Sequence, residues 1–148
     1  MTDQPPARRP PEIPADMNAF NQKVIQEFRA NHGELSGQMA GRKLMLLTTT
    51  GSRTGEPRTV VLGYKAEGDR FFILASANGA PSDPVWYRNL KVNPVATVEV
   101  GPETVAVRAR TADPRERAEL STRFDYLEGQ QAKTKREIPI VILERIKP

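Results

Sequence analysis

The feature that most constrains this chain is a series of short apolar or alternating runs, each closed by a turn signal. Leu44 to Thr50 reads LMLLTTT, and Arg58 to Tyr64 holds Val60, Val61 and Leu62. Arg70 to Ser76 reads RFFILAS, Val95 to Val100 reads VATVEV, Thr104 to Thr111 reads TVAVRART, and Ile138 to Glu144 reads IPIVILE. Gly51–Pro57, Glu67–Asp69 and Gly101–Glu103 supply glycine and proline turns between them. Runs this short, so punctuated, predict a mainly β chain of six strands in an antiparallel sheet or barrel.

Helices are expected at three places. Asp16 can cap a helix from Met17 to about Asn31, with Gly33 as its stop. Met17, Phe20, Val24, Ile25 and Phe28 then form one apolar stripe for packing on the sheet. Asp83-Pro84 can open a short helix over Val85–Val92, ended by Asn93-Pro94. Asp113-Pro114 can open a longer one from Arg115 to about Tyr126. The sheet therefore carries an N-terminal helix and two inserted helices. Residues 1–15 hold Pro5, Pro6, Pro10, Pro11 and Pro14 beside Arg8 and Arg9, and are expected to be an extended or disordered arm. One domain is expected over residues 16–148.

Composition narrows the chemistry. The chain has no cysteine, which removes disulfides, thiolate nucleophiles and Cys-ligated metals together. A cytoplasmic location is the expectation. The single histidine, His32, sits at the expected helix end and reads as a cap, so no metal site is expected. The net charge of +4 suits an anionic partner: nucleic acid, acidic lipid or a phosphorylated cofactor. Nucleic acid is disfavoured, because the aromatics lie mostly inside apolar runs and are not interleaved with the basic residues. Peripheral membrane association stays open through the Arg8-Arg9 arm.

Three constellations remain. The turn after the first strand, TTTGSRTGEPR, combines glycine amides, the hydroxyls of Thr50, Ser52 and Thr54, and the guanidinium groups of Arg53 and Arg58. That set suits a phosphate, although the Walker spacing is absent; a polar hairpin with basic decoration is the alternative. The segment ASANGAPSDPVWYRN places a loop of small residues before Trp86, so a flat ring can approach the backbone; core filling is the alternative for this tryptophan. Lys133, Lys135 and Arg136, with Arg123, form a basic cluster that reads as a solvated charge run, or, if it faces the first loop, as a place for an anionic tail. No nucleophile–base pair is evident, so a cofactor must carry any hard chemical step.

Taken together, LLTTTGSRTGEPRTVVLGY, LASANGAPSDPVWYRNLKVNPVATVEVG and KTKREIPIVILER resemble the deazaflavin-dependent nitroreductase family, from about Asn18 to Arg145. The resemblance implies an FMN-binding-like split β-barrel, coenzyme F-420, and hydride transfer to a quinone or another electron-poor small molecule. It implies that Ser52, Arg53 and Thr54 hold the cofactor phosphate, and that Arg58, Thr59, Val60, Val61, Leu62 and Gly63 lie along the cofactor. It implies that Leu74, Ala75, Ser76 and Ala77 lie under the ring, with Ser76 near the reacting face. It places Val85, Trp86, Tyr87, Arg88 and Asn89 beside the cofactor tail. Members that reduce bulky nitroaromatics carry several tyrosines just before the QxKT-like segment. Here Phe124, Leu127 and Gln130 occupy those positions, and Tyr126 remains, shifted by one, as a candidate proton donor. FMN or haem is the alternative ligand of such a barrel, and a non-catalytic module for an anionic surface is the alternative function. Monomer and homodimer are both compatible with the resemblance.

Overall fold

The computed structural model describes residues 17–37 and 40–147. The proline-rich arm and the expected cap Asp16 lie outside the described residues. The helices are α1 (Met17–Ala30), α2 (Val85–Val92), α3 (Pro114–Leu120) and α4 (Leu127–Gln131). The strands are β1 (Leu44–Thr50), β2 (Pro57–Gly63), β3 (Lys65–Glu67), β4 (Arg70–Leu74), β5 (Val95–Val100), β6 (Glu103–Thr111) and β7 (Ile140–Arg145).

All seven strands form one antiparallel sheet in the order β2-β1-β5-β6-β7-β4-β3. Its two edge strands, β2 and β3, are neighbours in sequence and are separated only by Tyr64. Two peptide steps reach at most about 7 Å. The opposite edges of the sheet therefore meet at Tyr64, and the sheet has to curl into a barrel closed at that seam.

Burial on the sheet's two faces explains the sequence pattern. Met45, Leu47, Phe71, Ile73, Ala96, Val98, Val105, Val107, Val141 and Leu143 fill the inside of the curl, with Trp86, Tyr87 and Leu90 of α2 packed among them. Phe72, Leu74, Ile140 and Ile142 point the other way, under Leu120, Phe124 and Leu127. Leu46 also points outward, under Ile25 and Phe28 of α1. Strands β1, β4 and β7 read as continuous apolar runs because both faces are covered. Strands β5 and β6 alternate because helices do not cover their outer face to the same degree. At the end of α1, Gly33 has φ +94°, and a Cβ there would stand 2.7 Å from the Gly101 Cα. Glycine is required for that backbone contact, which seats α1 on the β5–β6 turn.

Two expectations are corrected. The sheet has seven strands rather than six: β3 is only Lys-Ala-Glu, fully exposed, and carries no apolar signal. The expected helix from Arg115 to Tyr126 is broken. The hydroxyls of Ser121 and Thr122 bond back to the carbonyls of Ala118 and Glu119 at 3.1 and 3.0 Å. Such back-bonding competes with helix propagation, and the chain passes through a 3-10 turn at Ser121–Arg123 before α4.

The start of α3 is a capping box. Asp113 accepts from the Glu116 amide at 2.8 Å, and Glu116 accepts from the Asp113 amide at 3.0 Å. Glu116 also receives both Nη groups of Arg110, at 2.7 and 2.8 Å. The Arg110 guanidinium, helped by the Asp113 amide, holds the Glu116 carboxyl down at about 2. A depressed carboxylate stabilises the fold above its unfolded value of roughly 4.3 and loses that contribution as pH falls toward the folded value. Stability should therefore decline as pH drops from about 4.5 to about 2. Glu116→Gln should flatten that decline in urea unfolding series at each pH. An unchanged slope refutes the assignment. Asp113→Ala should cost about 1 kcal/mol at neutral pH.

Candidate functional site

The seam that closes the barrel also opens a cleft of about 700 Å³. Arg42, Lys43 and Leu44 line it where the chain enters β1. Val61, Leu62, Gly63, Tyr64 and Lys65 line it across the seam. Leu74, Ser76 and Ala77 come from the end of β4, Trp86 from α2, and Tyr126 and Gln130 from the α4 region.

The wall after β4 is tightly built. Ala77 takes a left-handed φ of 46°, unusual for a residue with a Cβ. Arg136, with only 16% of its side chain exposed, holds the loop there. Its Nε donates to the Ala80 carbonyl at 2.9 Å, one Nη to the Ser76 carbonyl at 2.9 Å, and the other to Asp83 at 3.0 Å. Asp83 is thus an anchor for Arg136 and not the cap of α2, whose N-cap is Pro84 with no side-chain bond. The basic cluster expected in the tail also disperses. Arg136 is committed to the loop, and Arg123 pairs with Glu67 at 3.2 Å.

Gly79 completes this wall. Its φ is +81°, and a Cβ would stand 2.7 Å from the Lys133 Cβ and 2.9 Å from the Gln130 carbonyl oxygen. Gly79→Ala should cost about 2 kcal/mol, through an unfavourable backbone angle and displacement of α4. A thermal unfolding midpoint equal to that of the parent protein would contradict this.

The loop after β1 is less of a phosphate cradle than its glycines suggest. The Gly51 amide bonds Glu56 O, Gly55 bonds Gly51 O, Ser52 bonds Asn89 Oδ1, and Glu56 bonds Thr54 Oγ1. Three of these donors are spent on the turn itself and the fourth, from Ser52, on α2. The Ser52, Arg53 and Arg58 side chains remain exposed, with Arg58 3.5 Å from Glu56. Asn89 is 1% exposed and ties two elements together. Its Nδ2 donates to Thr49 Oγ1 at 3.1 Å while its Oδ1 holds Ser52 at 3.0 Å. The loop is thereby moored to α2, the helix that sends Trp86 into the cleft.

Of the residues singled out from sequence, Val61, Leu62, Gly63, Leu74, Ser76, Ala77, Trp86 and Tyr126 meet in the cleft. The others stand outside its lining. Ala75 and Tyr87 belong to the barrel interior, Val60 packs against it, and Tyr87 bonds Thr111 at 2.6 Å. Thr59 bonds Thr48 at 2.8 Å, Thr54 closes its own turn, and Val85 and Arg88 face solvent. Trp86 does both things proposed for it: it is 7% exposed within the core and also walls the cleft.

Arg42, Lys43, Leu44, Tyr64, Lys65 and Gln130 line the cleft without having been singled out as site residues. Lys65 belongs to the strand that left no apolar signal. Lys43 lies one step beyond the Leu44–Gly63 register pair, with its ammonium 5.9 Å from the Tyr64 ring centroid. Among the described residues the cleft has three cationic side chains and no carboxylate in its lining. The Tyr126 phenol is pushed above its ordinary value, chiefly by burial, with Asp125 adding and Arg42 opposing. It therefore keeps its proton at neutral pH.

A family model described as F420H(2)-dependent quinone reductase matches residues 21–145. The chain belongs to this family. A Mycobacterium tuberculosis protein of the same description is 36% identical over 126 residues, covering 80% of this chain and 85% of that one. The solved structure of an F420-H2 dependent reductase, FDR-A, superposes with a TM-score of 0.63 at 34% identity, covering 70% of this chain and 95% of that one. A second structure, described as a domain-swapped dimer, gives a TM-score of 0.65 at 29% identity over 83% of this chain and 95% of that one. The curled seven-stranded sheet is thus the split barrel of deazaflavin-dependent reductases. The family's cofactor is coenzyme F-420, and its members are oxidoreductases.

The cleft fits that cofactor. Its volume of about 700 Å³ is in the range of small-molecule sites. Gly63, Ser76 and Ala77 give the wall small side chains that leave room for a flat ring, Trp86 offers an aromatic face, and Arg42, Lys43 and Lys65 are of the charge that suits an anionic tail. Among the described residues, no helix is long and apolar enough to cross a membrane.

Proposed function

We propose that this protein is a quinone reductase that binds reduced coenzyme F-420 in the seam cleft and reduces a quinone stacked against the ring. The observation that carries this reading is the convergence of small residues, one indole and three cations on a single cleft with no carboxylate in its described lining. When bound, the reduced deazaflavin supplies a hydride. The acceptor takes that hydride and a proton, two electrons in all, and leaves as the hydroquinone.

The chain's own residues bind, orient and supply the proton. Leu74, Ser76 and Ala77 form the floor, and the Ser76 hydroxyl orients ring or acceptor by a hydrogen bond. Tyr126, still protonated at neutral pH, returns a proton to the acceptor oxygen from the cleft mouth. Ser52, Arg53 and Thr54 receive the phosphate through side chains, since four of the turn's amides are already bonded. Arg42, Lys43 and Lys65 add attraction for the anionic cofactor.

Peripheral membrane contact has one supporting observation. Val85 and Val92 on α2 are 60% and 69% exposed, with Arg88 on the same stripe. That combination suits an anionic lipid surface, where apolar quinones reside.

Fluorescence titration with F-420, FMN and haem tests the cofactor. Saturable micromolar binding of F-420, tighter than FMN or haem, is expected. Anaerobic oxidation of the reduced cofactor with menadione, with a nitroimidazole and with no acceptor tests the reaction. Oxidation should be fastest with menadione. Absence of saturable F-420 binding overturns the reading.

A further inference from the structure

Gln130 lines the cleft, and its side-chain oxygen has no partner in the protein. Its Oε1 is fully buried and has no hydrogen-bond partner. Among the described residues it is the buried side-chain polar atom left in that state. Gln130 sits in α4, where its main chain is fixed by bonds from its own amide to Tyr126 O at 3.2 Å and from the Lys133 amide to its carbonyl at 3.1 Å. The neighbouring Gln131 shows the contrast. Its side chain is fully engaged, accepting from the Ile138 amide at 2.9 Å and donating to Arg136 O at 2.6 Å. Gln131 holds the fold together, whereas Gln130, which lines the cleft, leaves its buried Oε1 unbonded.

An unmet buried acceptor is a net cost to the folded protein. A ligand that brings a donor to this oxygen recovers that cost. Quinones and nitro compounds carry only acceptor atoms, so the electron acceptor does not satisfy it. The pyrimidinedione ring of a deazaflavin does. It presents an N–H flanked by two carbonyls, and a carboxamide has the matching pair of one acceptor and two donors.

We infer that Gln130 is a cofactor-binding residue that reads the imide edge of the deazaflavin ring, its side chain turning from its unbonded buried position into the cleft so that Oε1 accepts from the ring N–H and the amide nitrogen donates to an adjacent carbonyl. The inference rests on the proposal that the seam cleft holds F-420. It assigns Gln130 to the ring, while the exposed cations serve the tail. The same edge exists in FMN, so this contact reads the class of ring and leaves discrimination between the two cofactors to other residues.

The test uses the full chain and two tail-free probes, 5-deazariboflavin and its N3-methyl derivative, together with F-420. The parent protein should bind the N3-methyl probe about tenfold more weakly than 5-deazariboflavin, and Gln130→Leu should bind the two equally. Gln130→Leu should also bind F-420 about tenfold more weakly than the parent, with an unfolding midpoint at or above that of the parent, because the unmet oxygen is gone. If the parent protein binds F-420 and Gln130→Leu binds it equally well, the inference is overturned and the cofactor proposal stands. Retention by Gln130→Leu of the parent's preference for the unmethylated probe also overturns it. If the parent protein fails to bind F-420, the cofactor proposal itself has failed.

Discussion

An Arg136→Met protein is expected to lose about 3 kcal/mol of stability and, with it, most of its affinity for F-420. Methionine keeps the length of the apolar stem and removes the three donors that reach Ser76 O, Ala80 O and Asp83. The Ala80 carbonyl then loses its side-chain partner, the Ser76 carbonyl keeps only the Gly79 amide and Asp83 keeps only Lys91 at 3.8 Å, so the left-handed turn at Ala77 loses its main support. Because that turn is the cleft wall, stability and binding should fall together. Arg123→Met is the control. That guanidinium pairs with Glu67 at the surface, where such pairs contribute less than about 1 kcal/mol. Urea unfolding and fluorescence titration on both variants measure the two effects. Binding unchanged in Arg136→Met would show that the Ser76–Ala80 loop does not shape the cofactor site.

Ser76→Phe should weaken F-420 binding roughly a hundredfold, equivalent to about 2.7 kcal/mol, with a much smaller effect on stability. Ser76 is buried and lines the cleft, and a phenyl ring there has open volume to occupy. It would take the place of the cofactor ring instead of displacing the core. Ser76→Ala separates bulk from hydrogen bonding. It should keep affinity within about threefold, since one neutral hydrogen bond contributes little net free energy, while the rate with menadione falls. Parental affinity in Ser76→Phe would place the ring elsewhere.

The barrel is legible wherever burial leaves an apolar run or a period. LMLLTTT, VATVEV and the Val85–Val92 helix were found with their observed bounds. Strand β3 was not, because three exposed residues on an edge have no pattern to show. The break after α3 depends on hydroxyl groups turning back on their own helix, which composition does not announce. The site was legible in part for the same reason. Ser76, Trp86 and the Val61–Gly63 strand carry chemistry in their types. Arg42, Lys43 and Lys65 are ordinary surface cations until the seam gathers them. Arg136 was visible as a charge and invisible as an anchor, since its three partners lie 53 to 60 positions away. The glycine-rich turn misled in one respect: its amides look free in sequence but are consumed by Glu56, Gly51, Asn89 and Thr54.

Tyr64 is the only residue between the two edge strands, and the same short stretch borders the opening where a ligand enters. Girth and gate are therefore one variable in this architecture. Lengthening the link by a residue or two would loosen the hoop and widen the doorway while leaving the six strand ladders of the sheet in their present register. A scaffold built this way can be refitted for larger or smaller guests by editing a single joint, provided that the Tyr64 ring keeps its place against Phe71.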